Sequence, residues 1–285
     1  MRLTRKISTL IYIFIYFMLV QNMGAIIAGP NPVELKDIKP SEKSNWTYPI
    51  SAPITLPPIN MDENTRTRLK NFRDEAAKLC QLYPETFISS LPIREKKIAL
   101  TFDDGPDSQT TTKVLDILQY HNIKATFFVI GQNVDKHREV IYRIIKSGHE
   151  IANHSWSHIR PTFISTEELI NEIEKTCTKL QETGINTRVF RPPYGLVTPQ
   201  QMEMLKALGY KAVIWSIDSM DWYTSDPQEI VQCVVKNAHP GAIILMHCAG
   251  GPNNRHATVE ALPLIISALK KEGYEFATLG QLLYY

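Results

Sequence analysis

The stretch Lys97-Ile98-Ala99-Leu100-Thr101-Phe102-Asp103-Asp104-Gly105-Pro106 decides how the chain is read. Its apolar run, Ile98 to Phe102, has the length of a strand buried on both faces, and it ends on two carboxylates and a Gly-Pro turn. Six more short runs follow, at 125–130, 150–152, 188–190, 212–217, 242–246 and 275–277, with amphipathic segments between them. Those segments carry helix start signals. Ser165 with Glu168, and Thr198-Pro199 with Gln201, are capping boxes, and Asp226-Pro227 with Glu229 repeats the scheme. Leu169, Ile173, Cys177 and Leu180 line one helix face; Val259, Leu262, Ile266 and Leu269 line another. Gly148, Gly184, Gly209 and Gly273 stand where helices should stop. Seven strands alternating with helices predict a parallel α/β sheet or barrel.

Upstream the pattern changes. Leu69, Phe72, Ala76 and Leu79 recur at helical spacing and predict one amphipathic helix over 62–82. Residues 30–58 hold seven of the 18 prolines and predict an extended linker. At the N-terminus, Arg2, Arg5 and Lys6 precede an apolar run over 10–20, the arrangement of a secretory signal. Ala28 offers a cleavage position, but Ile26 then stands where a small residue is usual. An uncleaved signal-anchor over 7–28, near the roughly 20 residues a membrane helix needs, is the alternative. Either route sends the rest of the chain to the extracellular or cell-wall side. The expected division is therefore 1–28 signal peptide or signal-anchor, 29–60 Pro-rich linker, 61–94 helical extension and 95–285 catalytic domain.

Composition excludes several classes. In 285 residues, 44% are hydrophobic and 21% charged, as in ordinary globular proteins rather than disordered or collagen-like ones. The net charge of +2 arises from +4 over residues 1–96 and −2 over residues 97–285, so the main block is no basic surface for nucleic acid. Cys80, Cys177, Cys233 and Cys248 show no metal-motif spacing; they permit three disulfide pairings, and Cys177 fits a buried thiol on its helix stripe. There is no phosphate loop, nucleophile elbow or dinucleotide fingerprint.

Chemically capable side chains fall at strand C-terminal ends: Asp103 and Asp104 after the first strand, His154 and His158 after the third, Arg191 and Tyr194 after the fourth, Asp218 and Asp221 after the fifth, His247 after the sixth. That is the face on which barrel enzymes build their sites. His154 and His158, four apart, would share a face on a helical turn and bind one metal. One of the two aspartates could complete the ligand set while the other acts as base, with Arg191 as its partner. Two histidines and one carboxylate leave a coordination position open, which marks a catalytic site. Asp221 could orient His247, and Trp222 offers a flat wall of the kind sugars pack on. Arg255 and His256, in the loop after Gly250, read as solvated.

From residue 97 to the C-terminus the chain resembles the polysaccharide deacetylases of carbohydrate esterase family 4, the NodB-homology domain. The resemblance rests on five motifs in order: Thr101-Phe-Asp-Asp-Gly105, His154-Ser-Trp-Ser-His158, Arg191-Pro-Pro-Tyr194, Asp218-Ser-Met-Asp-Trp222 and Leu245-Met-His247. It implies a distorted (β/α)7 barrel. It also implies a divalent metal, zinc first with cobalt or manganese as alternatives, on Asp104, His154 and His158. Asp103 would be the base with Arg191 as partner, and His247 the acid tuned by Asp221. Tyr194 would offer its backbone N–H to the oxyanion, and Trp222 and Leu245 would shape the acetyl pocket. The implied substrate is an acetylated amino-sugar polymer, peptidoglycan N-acetylglucosamine first and chitin oligomers second. An O-acetyl xylan esterase and a non-catalytic wall-binding protein are the other classes to separate. One departure is visible: family members often carry Asp after the histidine of the fifth motif, where this chain has Cys248.

Overall fold

A computed structural model of the protein describes residues 54–251 and 255–283. The signal or anchor segment and most of the Pro-rich stretch lie outside the described residues. The strands are β1 Phe87–Ile88, β2 Lys97–Asp103, β3 Thr126–Val129, β4 Glu150–Asn153, β5 Val189–Phe190, β6 Lys211–Val213, β7 Ile217–Asp218, β8 Ile243–His247 and β9 Glu275–Phe276. They pair in parallel in the order β1-β6-β5-β4-β3-β2-β8-β7, and β9 joins β2. Around them stand α1 Glu63–Leu82, α2 Thr110–Tyr120, α3 Gly131–Val134, α4 Arg138–Lys146, α5 Thr166–Gln181, α6 Pro199–Ala207, α7 Pro227–Val235, α8 His256–Lys271 and α9 Leu279–Leu283. This curled parallel sheet inside a ring of helices is the expected distorted (β/α)7 barrel.

The single strand expected over 212–217 is split, and the split explains the distortion. Its first part, β6, pairs with β5 and β1, while β7 pairs with β8. Between them the Ile214 N–H donates to the Ile88 carbonyl (2.8 Å) and the Ser216 N–H to the Ile243 carbonyl (3.1 Å). One run of chain therefore spans the seam of the curled sheet by changing partners midway. Strand β1 has no counterpart in the sequence reading, because two residues carry no periodicity.

Alternation along the strands decides what faces the interior. Ile98, Leu100 and Phe102 of β2, and Ile244 and Met246 of β8, share one cluster with Leu115, Leu118, Ile266 and Leu269 of the helices. The intervening residues, Thr101 and Asp103 on β2 and Leu245 and His247 on β8, are thereby turned to the opposite face. Thr101 pairs with Leu245, and Asp103 with His247. Both named capping boxes form, at Ser165 and at Thr198. The third differs: Asp226 caps α7 through the Gln228 N–H (2.8 Å), and the Glu229 carboxylate accepts from the Thr224 hydroxyl instead of reaching back.

Helix α1 packs on the barrel. Ala76 and Leu79 join the cluster containing Phe87 and Ala212, and the Phe72 ring stacks on Trp215 with centroids 5.2 Å apart. The end of the Pro-rich stretch packs as well: Ile54 is buried, the Thr55 N–H donates to the Ser216 carbonyl (3.2 Å), and Ile59 and Met61 cluster with Met220 and Cys233. No helix among the described residues is long and apolar enough to cross a membrane. Cys177 is half-buried, its sulfur 3.2 Å from Asn153 Nδ2 and 3.5 Å from the Tyr210 hydroxyl; Cys177, Cys233 and Cys248 are unbridged thiols.

Candidate active site

Because every strand pairing is parallel, all strand C-termini open on one rim. Asp103 ends β2 and His247 ends β8; His154 directly follows β4, and Arg191 directly follows β5. The turns on this rim are tight. Asp104 (φ 73°), Ser155 (64°), His158 (61°), Tyr194 (62°), Met220 (62°) and Arg255 (55°) all adopt the left-handed region, and Asn122 is the one other non-glycine to do so among the described residues. Such backbone costs of order 1–3 kcal/mol per residue and tends to collect at functional sites. At Asp104 it turns the chain sharply, so the adjacent carboxylates of Asp103 and Asp104 meet different partners.

Asp104, His154 and His158 come together with their candidate ligand atoms within 4.8 Å of one another. Asp104 Oδ1 lies 3.2 Å from His158 Nε2 and 3.6 Å from His154 Nε2. The two histidines do not share a helical face, contrary to what their spacing predicts. The 154–158 segment is a non-helical turn, in which the Asn153 side chain accepts from the Ser155 N–H (2.8 Å) and the Ser155 hydroxyl from the His158 N–H (3.0 Å). Glu172 of α5 accepts the next two amides, from Trp156 (3.0 Å) and Ser157 (2.8 Å). His154 Nδ1 donates to the Arg191 carbonyl (2.8 Å), which leaves the Nε2 lone pair facing the cluster. Asp104 Oδ1 is buried with no hydrogen-bond partner. Burial pushes the Asp104 carboxyl up, but His154, His158 and the charge of His247 outweigh it and hold the group well below the usual carboxylate range. Two imidazole nitrogens and an orphaned carboxylate oxygen converging on one point fit a divalent cation.

The Asp103 carboxylate meets the Arg191 guanidinium at 2.7 Å. Arg191 is 0% exposed and lies over the Phe128 ring at 3.9 Å. It also donates to the Thr101 hydroxyl (2.8 Å) and to the carbonyls of Val213 (3.0 Å) and Ile214 (3.1 Å), so each of its three nitrogens is engaged. Desolvation pulls this guanidinium down, and the Asp103 charge opposes it. Arg191 thereby holds Asp103 at one angle, with its second oxygen 3.7 Å from His154 Nε2.

On the other side of the rim, His247 Nδ1 donates to Asp221 Oδ1 (2.6 Å), and the His247 N–H donates to Asp221 Oδ2 (2.8 Å). Burial pulls the imidazole down, but the Asp221 charge and hydrogen bond, with Asp104 behind them, raise it to about 9. Asp221 shifts the opposite way: burial raises it, and the charge and hydrogen bonds of His247 bring it below its ordinary value. The neighbouring Asp218 is pushed up to about 6 by burial, against hydrogen bonds from the Met220 amide and the Trp222 indole.

Two cavities open beside these groups. One of about 400 Å³ is bordered by Asp104, Asp107, Asn133, His137 and His158. The other, about 330 Å³, is bordered by Asp221, Trp222, Tyr223, Thr224 and Arg255. Trp222 is thus grouped with Asp221, not with the proposed metal ligands. Leu245 is 3% exposed, in register with Thr101 and Asp218. The Tyr194 ring leans on His158 with centroids 5.1 Å apart.

Three residues of the site escaped the sequence reading. Arg255 is buried, not solvated. Its guanidinium donates to the Asp221 carbonyl (3.2 Å), the Ala249 carbonyl (3.2 Å) and Asp104 Oδ2 (3.5 Å), joining the two halves of the rim. A Cβ on Gly251 would come within 2.4 Å of that guanidinium, so a glycine is needed there. Thr258, one turn into α8, donates its hydroxyl to Asp221 Oδ2 (2.8 Å). Thr101 holds Arg191 from below. Thr101 opens the first motif and Thr258 stands at a helix start; nothing local marks Arg255. Cys248 points away from His247: its sulfur lies 3.6 Å from the Thr111 hydroxyl and 3.5 Å from the Asp103 carbonyl.

The chain is similar to known proteins. The polysaccharide deacetylase family matches residues 91–213. A peptidoglycan-N-acetylglucosamine deacetylase of Bacillus cereus is 39% identical over 208 residues, which is 72% of this chain and 97% of that protein. The peptidoglycan-N-acetylglucosamine deacetylase PgdA of Listeria monocytogenes is 40% identical over 66% of this chain and 39% of its own length. A crystal structure of a peptidoglycan N-acetylglucosamine deacetylase, in complex with 4-naphthalen-1-yl-N-oxidanyl-benzamide, matches with a TM-score of 0.65 at 38% identity, covering 68% of this chain and 91% of that one. With the five motifs on one rim and a relative matched over nearly its whole length, the chain belongs to the polysaccharide deacetylases, carbohydrate esterase family 4, and is a hydrolase of that class.

Proposed function

We propose that this protein is an exported, metal-dependent enzyme that removes the N-acetyl group from N-acetylglucosamine in peptidoglycan, releasing acetate and leaving a free amine. The observation that carries the proposal is a complete reaction set on one rim: a cation site, an Arg-held carboxylate and an Asp-held imidazolium. Similarity to peptidoglycan-N-acetylglucosamine deacetylases supports the substrate. The basic and apolar N-terminal segment supports export to the cell-wall side, by cleavage or as a membrane anchor.

Asp104, His154 and His158 would hold the metal, and two imidazoles with one carboxylate suit zinc, with cobalt and manganese as substitutes. Bound there, the metal supplies Lewis acidity to an acetamide carbonyl and to a water nucleophile. Asp103 takes the proton from the attacking water, its angle set by Arg191. The Tyr194 N–H donates to the oxyanion that develops on the carbonyl. His247 is charged at neutral pH and gives its Nε2 proton to the departing amine, while Asp221 keeps Nδ1 protonated. Arg255 keeps the acid and ligand sides in register.

The test is mass spectrometry of defined N-acetylglucosamine oligomers, peptidoglycan fragments and acetylated xylan after incubation with the zinc-loaded protein. Loss of acetyl from the glucosamine of peptidoglycan fragments is expected. Turnover of acetylated xylan alone would overturn the substrate, and no turnover of any substrate by metal-replete protein would overturn the activity.

A further inference from the structure

Beside the metal-site turn the rim carries an unusual group of exposed side chains. Phe163 is 82% exposed and Tyr194 50%, and both are large apolar rings that water solvates poorly. Between them lies the Arg160 guanidinium, 3.8 Å from the centroid of Tyr194 and 5.5 Å from that of Phe163. The other two arginines of the rim, Arg191 and Arg255, are each paired with a carboxylate. Arg160 has no carboxylate within ion-pair distance among the described residues.

This patch is built, not frayed. Pro161 starts the short 3-10 turn Pro161–Phe163, which fixes the chain just before the Phe163 ring. Buried Gln201 clamps that turn from behind, donating Nε2 to the Pro161 carbonyl (2.8 Å) and the Ile164 carbonyl (3.2 Å) while its Oε1 caps α6. The patch is continuous with the site through Tyr194, whose ring touches His158. A rigid, exposed aromatic face with a cation set into it suits a ligand that has an apolar face and a negative charge.

We propose that Arg160, Phe163 and Tyr194 form a second saccharide subsite, which binds the sugar next to the one deacetylated and prefers a neighbour bearing a carboxylate. The pyranose face stacks on Phe163, and Arg160 pairs with the acidic substituent, as the lactyl arm of a muramyl residue supplies where it carries no stem peptide. This deepens the proposed function and rests on it. It turns a general amino-sugar deacetylase into one that distinguishes an alternating acidic glycan from a neutral homopolymer.

The test compares zinc-loaded wild type with Phe163→Ala and Arg160→Gln on two tetrasaccharides, one of neutral N-acetylglucosamine and one a peptidoglycan glycan with free lactyl carboxylates. Phe163→Ala should raise KM about three- to tenfold on both, with the loss on KM rather than kcat. Arg160→Gln should raise KM on the acidic glycan only and abolish the salt dependence of that KM. Unchanged KM in both variants would overturn the subsite, and an equal effect of Arg160→Gln on both glycans would overturn the acidic preference. Calorimetric binding of the acidic glycan to the same three proteins separates this result from the activity itself. If wild type binds tightly but turns over neither glycan, the proposed function fails while the subsite stands; if all three proteins bind it equally, the subsite fails.

Discussion

Replacing Asp221 by Asn tests the acid half of the site with little change in shape. In the native arrangement both Asp221 oxygens accept: Oδ1 from His247 Nδ1, and Oδ2 from the His247 N–H and the Thr258 hydroxyl. An amide has a single acceptor oxygen. With its NH₂ toward the backbone, a donor meets the His247 N–H; with its NH₂ toward the ring, Nδ1 must accept, which only a neutral imidazole can do. The first orientation leaves the ring its acceptor at the cost of a donor–donor contact, the second disfavours the imidazolium, and in either the charge is lost. Burial, the largest influence on this ring, is then opposed chiefly by Asp104 and should carry His247 from about 9 back toward its ordinary 6.5. A full return would be about 2.5 units, or about 3 kcal/mol of differential stabilisation. The sign is fixed: a raised pKa keeps the acid protonated up to about 9, and activity is lost as pH rises through it. A cation on Asp104 cancels the part of the rise that Asp104 contributes, so the loaded enzyme starts lower while the Asp221 part remains. Two assays follow. NMR titration of His247 in metal-free protein should show the full drop. The alkaline limb of kcat/KM for the loaded enzyme should move at least about one unit toward acid, which lowers activity on that limb about tenfold. An unmoved limb, with native metal content and fold, would refute the assignment of His247 as the acid held by Asp221.

Asp104→Asn should weaken zinc binding at least about tenfold, measured calorimetrically, whereas Asp103→Asn should keep the metal and lose about 10²–10⁴ in kcat; the reverse pattern would exchange their roles. Arg255→Met should cost about 10–100-fold in metal affinity or kcat/KM, as the loss of a residue that orients a ligand typically does. Gly251→Ala should move the same quantities in the same direction by displacing the guanidinium, and native values in both variants would sink the role given to Arg255. A chain starting at residue 93 loses β1 and α1, including Phe87, which is fully buried. Deleting one such ring typically costs about 3–5 kcal/mol. Urea denaturation should therefore show that protein far less stable than one starting at residue 54, and equal midpoints would show α1 and β1 to be dispensable.

The rim was legible in the sequence because parallel alternation needs only strand ends, and Asp103, His154, Arg191 and His247 stand where apolar runs stop. Pair chemistry was legible too: Asp103 with Arg191 and Asp221 with His247 meet as charge and hydrogen-bonding capacity suggest. What escaped depends on backbone turns and on distant partners. His154 and His158 sit four apart, a spacing that a helix and the observed turn serve equally well, and only the left-handed Ser155 and His158 decide between them. Arg255 was invisible because nothing local marks a loop arginine whose acceptors lie at Asp104, Asp221 and Ala249. The break between β6 and β7 is likewise non-local: the apolar run continues through it, and only the neighbouring strands change.

The rim is also sorted along the chain. Asp103, Asp104, His154 and His158 all come from β2, β4 and the turns that follow them, with β3 between, so they form a compact early block. Asp221, His247, Arg255 and Thr258 are supplied by the last third of the sequence, and Arg255 reaches back from there to Asp104. A ribosome completes the whole cation cluster before it reaches the acid. Conversely, nicking or unravelling from the C-terminal side strips away the acid and its partners first and leaves the cluster's own strands in place. Because β8 pairs with β2 and Arg255 reaches Asp104, that loss also takes support from the cluster, so turnover should fall first and metal affinity after it.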